Sequence, residues 1–188
     1  AGLAPRLHIS LPPQHGKTWA VRMILALILT QHPDIEAAWV TCSAEFSASS
    51  GKIIRDWLTE HQPQLFPDKK PKLTEKEWKT DAGGGMFCAG IGGRLTGQTV
   101  KLAVCDDLLK DYEEYLSEAR KRKVQDWVST VLGTRLNNES SVLSIGTRWG
   151  VGDAIDMLIK TIPGNWEVIA IPALAEESEI CKNGRPDF

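Results

Sequence analysis

The sequence has no cysteine pair at metal-binding or redox spacing: its four cysteines, Cys42, Cys88, Cys105 and Cys181, are scattered. Two of them lie in apolar runs that read as buried strands. That pattern argues against a disulfide framework or a zinc site and for a reduced compartment. Charge of one sign is missing too. A formal net charge of -2 and a pI near 6.1 leave no global basic footprint, which weakens the case for a simple DNA-binding module; contact with nucleic acid then needs a local patch or an assembly of subunits. The apolar run Ile24 to Leu29 is too short to span a bilayer and reads as a buried helix, so no membrane partner is expected. The N-terminus carries no basic region followed by an apolar stretch, and nothing there reads as a secretory signal. Internal repeats and low-complexity tracts are absent. What remains is ordinary globular composition, 42% hydrophobic and 24% charged over 188 residues, enough for one domain with a real core.

Glycine is missing from one place where a known pattern asks for it. Leu7-His8-Ile9-Ser10-Leu11-Pro12-Pro13-Gln14-His15-Gly16-Lys17-Thr18-Trp19 is an apolar strand that empties into a short loop, ends in Gly-Lys-Thr and runs on into a long helix. The order of parts is that of a phosphate-binding loop. Backbone N–H groups and a helix N-terminus face the phosphates, Lys17 reaches their outer oxygens, and the Thr18 hydroxyl meets magnesium. The full pattern, GxxxxGK followed by Thr or Ser, wants glycine where this chain has Leu11, so the stiff Pro12-Pro13 pair is expected to shape the loop instead. A bare Gly-Lys-Thr is common by chance and needs a second motif behind it.

Strand and helix signals alternate along the chain. Leu7 to Leu11 is followed by a helix from about Lys17 to Gln31, apolar nearly all round; Ala37 to Cys42 is followed by a helix from Ser43 to about His61, with Phe46, Ile53, Ile54, Trp57 and Leu58 inward. Pro63 to Lys79, with its prolines and lysines, reads as a solvated surface excursion, although its lysines also suit DNA phosphates. Met86 to Ala89 reads as a strand between glycine-rich turns, Lys101 to Cys105 as another. A helix capped by Ser117 runs to Leu132, Ser141 to Ile145 is a strand, Asp153 opens a last helix, and Trp166 to Ile171 is a final strand. Alternation without hairpin turns predicts an α/β fold: a three-layer P-loop NTPase with a mainly parallel central sheet flanked by helices and the site at the carboxyl ends of the strands. The two motif strands should be neighbours or separated by one strand. The tryptophans, Trp19, Trp39, Trp127 and Trp149 among them, fall at core-like positions.

A P-loop becomes an NTPase only with an acidic strand. Leu102-Ala103-Val104-Cys105-Asp106-Asp107 supplies it. Carboxylates at the end of a buried strand are costly unless used or paired. In such a site Asp106 holds Mg²⁺ through water and Asp107 projects towards the γ-phosphate of ATP to orient or deprotonate the attacking water. A strand-end turn or helix cap is the alternative for an Asp pair.

Pro12-Pro13-Gln14-His15-Gly16-Lys17-Thr18, Gly92-Gly93-Arg94-Leu95-Thr96-Gly97, Asp106-Asp107-Leu108-Leu109-Lys110-Asp111, Asp126-Trp127, Thr134-Arg135-Leu136 and Gly146-Thr147-Arg148-Trp149 resemble, in order and spacing, the ATPase domain of the large terminase subunit of tailed double-stranded DNA phages. The resemblance covers about Leu7 to Ile159. It implies a motor that drives viral double-stranded DNA into a procapsid with ATP and Mg²⁺, as a homo-oligomeric ring, with a portal protein and a small terminase subunit as partners. It places the protein in the cytoplasm of the infected host, transiently at the portal. Residues 1–188 are then one ATPase domain, expected to lack an upstream adenine-binding segment and a following RNase H-like nuclease domain.

By matching position the resemblance implies Gln14, His15, Gly16, Lys17 and Thr18 as the nucleotide-binding loop, Thr18 and Asp106 as metal ligands, and Asp107 and Lys17 as catalytic groups. It implies Arg94 as an arginine offered to ATP, in cis or in trans, a surface arginine being the alternative. Thr147 and Arg148 fall at the motif that senses the γ-phosphate, against a capping Thr and a salt-bridged Arg. Gln14 is the main departure, since Arg is usual there. His8 and His15 read as structural. Two rival functions stay open: a helicase-like nucleic-acid-dependent ATPase, and an assembly module that binds nucleotide without hydrolysing it.

Overall fold

The computed structural model describes residues 5–66, 74–95 and 99–172. Seven strands form one sheet: β1 (Arg6–Ser10), β2 (Glu36–Thr41), β3 (Glu77–Lys79), β4 (Gly85–Gly90), β5 (Leu102–Asp106), β6 (Ser141–Gly146) and β7 (Trp166–Ala170), in the order β3-β4-β2-β5-β6-β1-β7. Every pairing is parallel except β3 with β4, an antiparallel edge. The P-loop strand β1 and the acidic strand β5 are separated by one strand, β6, as expected. Registers Ser10↔Gly146 and Asp106↔Ile145 bring the carboxyl ends of all three to one rim.

The described residues form five α-helices, α1 (Lys17–Gln31), α2 (Ala44–His61), α3 (Tyr112–Leu116), α4 (Glu118–Trp127) and α5 (Ala154–Thr161), of which all but α3 contribute buried residues to the cores on the sheet. Strand side chains alternate between faces, so each central strand feeds two cores. Ala37, Trp39, Val104 and Ile145 pack with Val21, Leu25 and Leu29 of α1 and Ile54 and Leu58 of α2. Ala38, Val40, Ala103, Cys105 and Val142 pack on the other side with Val124 and Trp127 of α4 and Leu158 of α5. This is the expected three-layer α/β architecture.

Four expectations are corrected. Helix α1 is not buried all round: Trp19, Ile24 and Leu27 are 57%, 43% and 55% exposed, because one sheet face can cover only the stripe through Val21, Leu25 and Leu29. Trp19 therefore leaves the list of core tryptophans, whereas Trp39 and Trp127 stay on it. Phe46, assigned to the inward face of α2, is exposed: it sits in the first turn, and the buried stripe of the helix runs through Ser47, Ala48, Ser50, Gly51, Ile54 and Leu58. The surface excursion contains β3, whose Trp78 is fully buried and donates its indole N–H to Gly51 O of α2 at 3.1 Å; a three-residue edge strand has too little alternation to show in a sequence. The helix expected to run to Leu132 ends at Trp127 and continues as a wider π-type turn over Val128–Leu132. Lys69, Lys70 and Lys72 of the excursion, Thr96 and Gly97 of the arginine motif, and Cys181 lie outside the described residues. Among those described, Cys42, Cys88 and Cys105 are free thiols, and no helix is long and apolar enough to cross a membrane.

Candidate nucleotide site

Each helix except α1 carries a side-chain cap. Ser43, Asp111, Ser117 and Asp153 accept from the first turns of α2, α3, α4 and α5. Helix α1 begins at Gly16, in the left-handed region at φ 74°, with no side-chain cap and no acidic residue in its first turn. Its leading N–H groups are left for an anion, and the helix dipole favours negative charge there. The loop before it turns without the missing glycine. Gln14 itself takes the left-handed conformation at φ 66°, a strained setting for a long side chain, directly after the two prolines.

Opposite that helix end, the sheet gathers the remaining polar groups. Lys17 Nζ donates to Thr147 Oγ1 at 2.8 Å and lies 3.2 Å from Asp107 Oδ2. The Thr147 backbone N–H donates to Asp107 Oδ1 at 3.1 Å, so Asp107 is held by groups from the start of α1 and from just past the end of β6. The Thr18 hydroxyl donates to Asp106 Oδ1 at 3.2 Å. Asp106 is 5% exposed, and burial, with the Asp107 charge beside it, lifts its carboxyl to about 6; a group so placed gains from a cation. Asp107 is half-exposed and has φ 43°, which turns the chain sharply at the strand end. Its backbone is pinned on both sides, its N–H to Ile145 O at 3.1 Å and its carbonyl to the Cys42 N–H at 3.2 Å.

The cavity formed here has a volume of about 460 Å³ and is lined by Pro13, Gln14, Gly16, Lys17, Thr18, Trp19, Asp107, Lys110, Thr147 and Trp149. Its size and its polar cluster at one end suit a nucleotide.

The profile of the family described as "Terminase large subunit, T4likevirus-type, N-terminal" matches residues 8–188. The chain belongs to this terminase family. No curated protein sequence matches it significantly. Among solved structures it resembles the Thermus phage P74-26 large terminase ATPase domain (16% identity, TM-score 0.51, covering 89% of this chain and 76% of that one). It also resembles the HK97 bacteriophage large terminase (13%, 0.56, 93% and 36%) and a DEAD box protein from Methanococcus jannaschii (15%, 0.56, 88% and 45%). The chain thus spans less than half of the HK97 and DEAD box chains. At these identities the structural likeness shows the fold alone, and the family assignment rests on the profile.

Within this terminase domain the residues singled out by sequence divide into two groups. Gln14, Gly16, Lys17, Thr18, Asp106, Asp107 and Thr147 come together at the rim of the sheet. His15, Arg148 and Arg94 do not line the cavity. His15 is exposed and its ring faces Pro13 O of its own loop at 2.9 Å. Arg148 is turned onto α5, 3.3 Å from Asp153 and 3.0 Å from Asp156. Arg94 is exposed on the loop after β4. Sequence reasoning missed Trp149 and Lys110 at the cavity wall; Lys110 had been visible as part of the Asp106–Asp111 motif without a role. It also missed two braces. Arg22 of α1 donates to Ser50 Oγ of α2 at 3.0 Å and lies over the Trp19 ring at 5.4 Å. Arg120 of α4 donates to Cys42 O at 3.0 Å, fixing the segment whose N–H holds Asp107.

Proposed function

We propose that this terminase domain is the Mg²⁺-dependent ATPase of a DNA-packaging motor, which couples ATP hydrolysis to movement of double-stranded viral DNA into a procapsid. The observation that carries the reading is the convergence of Lys17, Thr18, Asp106, Asp107 and Thr147 on one rim beside the uncapped N-terminus of α1. In this reading the first-turn N–H groups and Lys17 bind the phosphates. Thr147 keeps Lys17 and Asp107 in register, and Asp107 orients and accepts a proton from the water that attacks the γ-phosphorus.

The donors suit magnesium. Thr18 and Asp106 offer two hard oxygens, and among the described residues no group of three or more His, Cys, Asp and Glu forms a protein cage; a cation held by few protein oxygens and by substrate phosphates fits that pattern. When bound there, the ion neutralises charge on the outer phosphates. A homo-oligomeric ring, a portal protein, a small terminase subunit, an upstream adenine-binding segment and a following nuclease domain belong to the same proposal, as does action in the host cytoplasm.

ATP turnover measured in the assembled, DNA-bound protein tests it. Lys17→Ala and Asp107→Asn are expected to reduce kcat at least 100-fold, Lys17→Ala with weakened nucleotide binding and Asp107→Asn with binding retained. Unchanged turnover in both variants would remove the catalytic assignment. Tight ATP binding by the wild type with no phosphate release, in the same assembled state, would instead favour a non-hydrolysing assembly module.

A further inference from the structure

A second cavity, of about 330 Å³, is bordered by Asp106 and Asp107 and reaches across to Arg22 and Ser50. Three residues border both cavities: Thr18, Asp107 and Lys110. Thr18 and Asp107 mark the metal side and the attacking-water side of a bound triphosphate, so the ridge that they share with Lys110 is where the outermost phosphate must lie. Resting on the ATPase reading above, we infer that Lys110 is a further ligand of the γ-phosphate, supplied in cis from the loop after β5.

Charge points the same way. Among the described residues lining the larger cavity the cations are Lys17 and Lys110. Gln14 contributes no charge, and Lys17 is already matched by Asp107 at 3.2 Å. Among the described residues, the ion pair of Lys110 is a long one to its neighbour Asp111, 3.8 Å, and its side chain is 63% exposed. A triphosphate with one metal ion retains net negative charge, and an ammonium group at its outer end stabilises the charge that develops there.

The backbone under Lys110 is anchored, while its side chain is largely exposed. The chain leaves β5 through the left-handed conformation at Asp107, φ 43°. Leu108 and Leu109 are then anchored in the core at 3% and 2% exposure. The Lys110 N–H donates to Glu114 Oε2 at 2.9 Å, and that carboxylate is itself paired with Arg120 at 3.1 Å. The lysine thus stands on an anchored backbone at the border that the two cavities share with Asp107.

Binding separates this role from the wider reading and does not depend on ring assembly. Mg·ADP and Mg·ATPγS are titrated calorimetrically into the purified wild-type chain and into Lys17→Ala, Lys110→Ala and Lys110→Arg. Lys110→Ala is expected to bind ADP within about twofold of wild type and ATPγS about tenfold more weakly, equivalent to about 1.4 kcal/mol, with most of the loss restored in Lys110→Arg. Lys17→Ala is expected to lose both nucleotides. Equal ATPγS affinity in wild type and Lys110→Ala, or an equal loss of ADP and ATPγS, overturns the Lys110 assignment while leaving the ATPase reading intact. A wild type that binds neither nucleotide overturns the ATPase reading, and Lys110 with it.

Discussion

Gly146, the last residue of β6, leaves little room for a side chain: a Cβ there would stand 3.3 Å from Asp107 Oδ1, a tight contact, and 3.9 Å from Ile155 Cδ1. The glycine lets two strand ends approach closely enough for the Thr147 N–H to reach the carboxylate. Asp107 is short compared with a glutamate, and its reach is set by this approach and by its own φ of 43°. Gly146→Ala should therefore shift Asp107 by a few tenths of an ångström and lower kcat for ATP about tenfold or more with KM nearly unchanged, because the phosphate-binding loop is not touched. Steady-state kinetics with matched thermal melts check it; an unaltered kcat would show that Asp107 tolerates the displacement. The residue types of this site were legible in the sequence. The positive φ at Gln14 and Asp107 was not, since neither is glycine and only the surrounding contacts hold them there.

At the scale of elements, α1 shows how a pattern can mislead. Its apolar residues occupy every side, yet the sheet covers one stripe, and Leu25 is 1% exposed where Leu27 is 55% exposed. Leu25→Ala is expected to cost about 2–5 kcal/mol through the lost burial and the cavity left behind, and Leu27→Ser less than about 0.5 kcal/mol. Urea denaturation of the two variants measures both; a large loss at Leu27 would mean that this face is covered. Caps were the more readable signals. Ser117 accepts from Arg120 N at 3.3 Å and Asp153 from Ile155 N at 3.1 Å, as their positions ahead of amphipathic runs predict. Helix α3 escaped notice because Tyr112–Leu116 has no buried residue and thus no apolar periodicity.

At the scale of the whole molecule, stability carries a pH signature from the centre of the sheet. His8 on β1 is fully buried, its Nδ1 3.1 Å from Ser144 Oγ on β6. Burial, aided by the Arg148 charge, lowers its pKa from 6.5 to about 4. The unfolded chain takes up a proton below about 6.5 that the folded chain refuses until about 4. The stabilisation is complete above 6.5, is lost as pH falls through that window, and levels off below it, on the order of 3 kcal/mol in all. The slope of unfolding free energy against pH between 6.5 and 4 should accordingly be shallower in His8→Gln than in wild type, by up to one proton. Parallel slopes would place the proton elsewhere.

The fold class, the strand and loop that lead to Gly-Lys-Thr, the strand that leads to Asp106-Asp107, and the ordered motif set of the terminase family were all legible in the amino-acid order. These are carried by local periodicity, capping residues and short motifs, which act over a few residues of chain. It takes the folded chain to show that β6 lies between those two strands, that Thr147 links Lys17 to Asp107, that Arg148 pairs with Asp153 and Asp156 at the start of α5 and not with the cavity, and that Lys110 borders two cavities. Those facts depend on strand order and on side chains more than a hundred positions apart, such as Lys17 and Thr147, meeting at one rim. No local signal encodes such meetings, because they follow from how each face of the sheet is covered and from where the chain must turn to cover it.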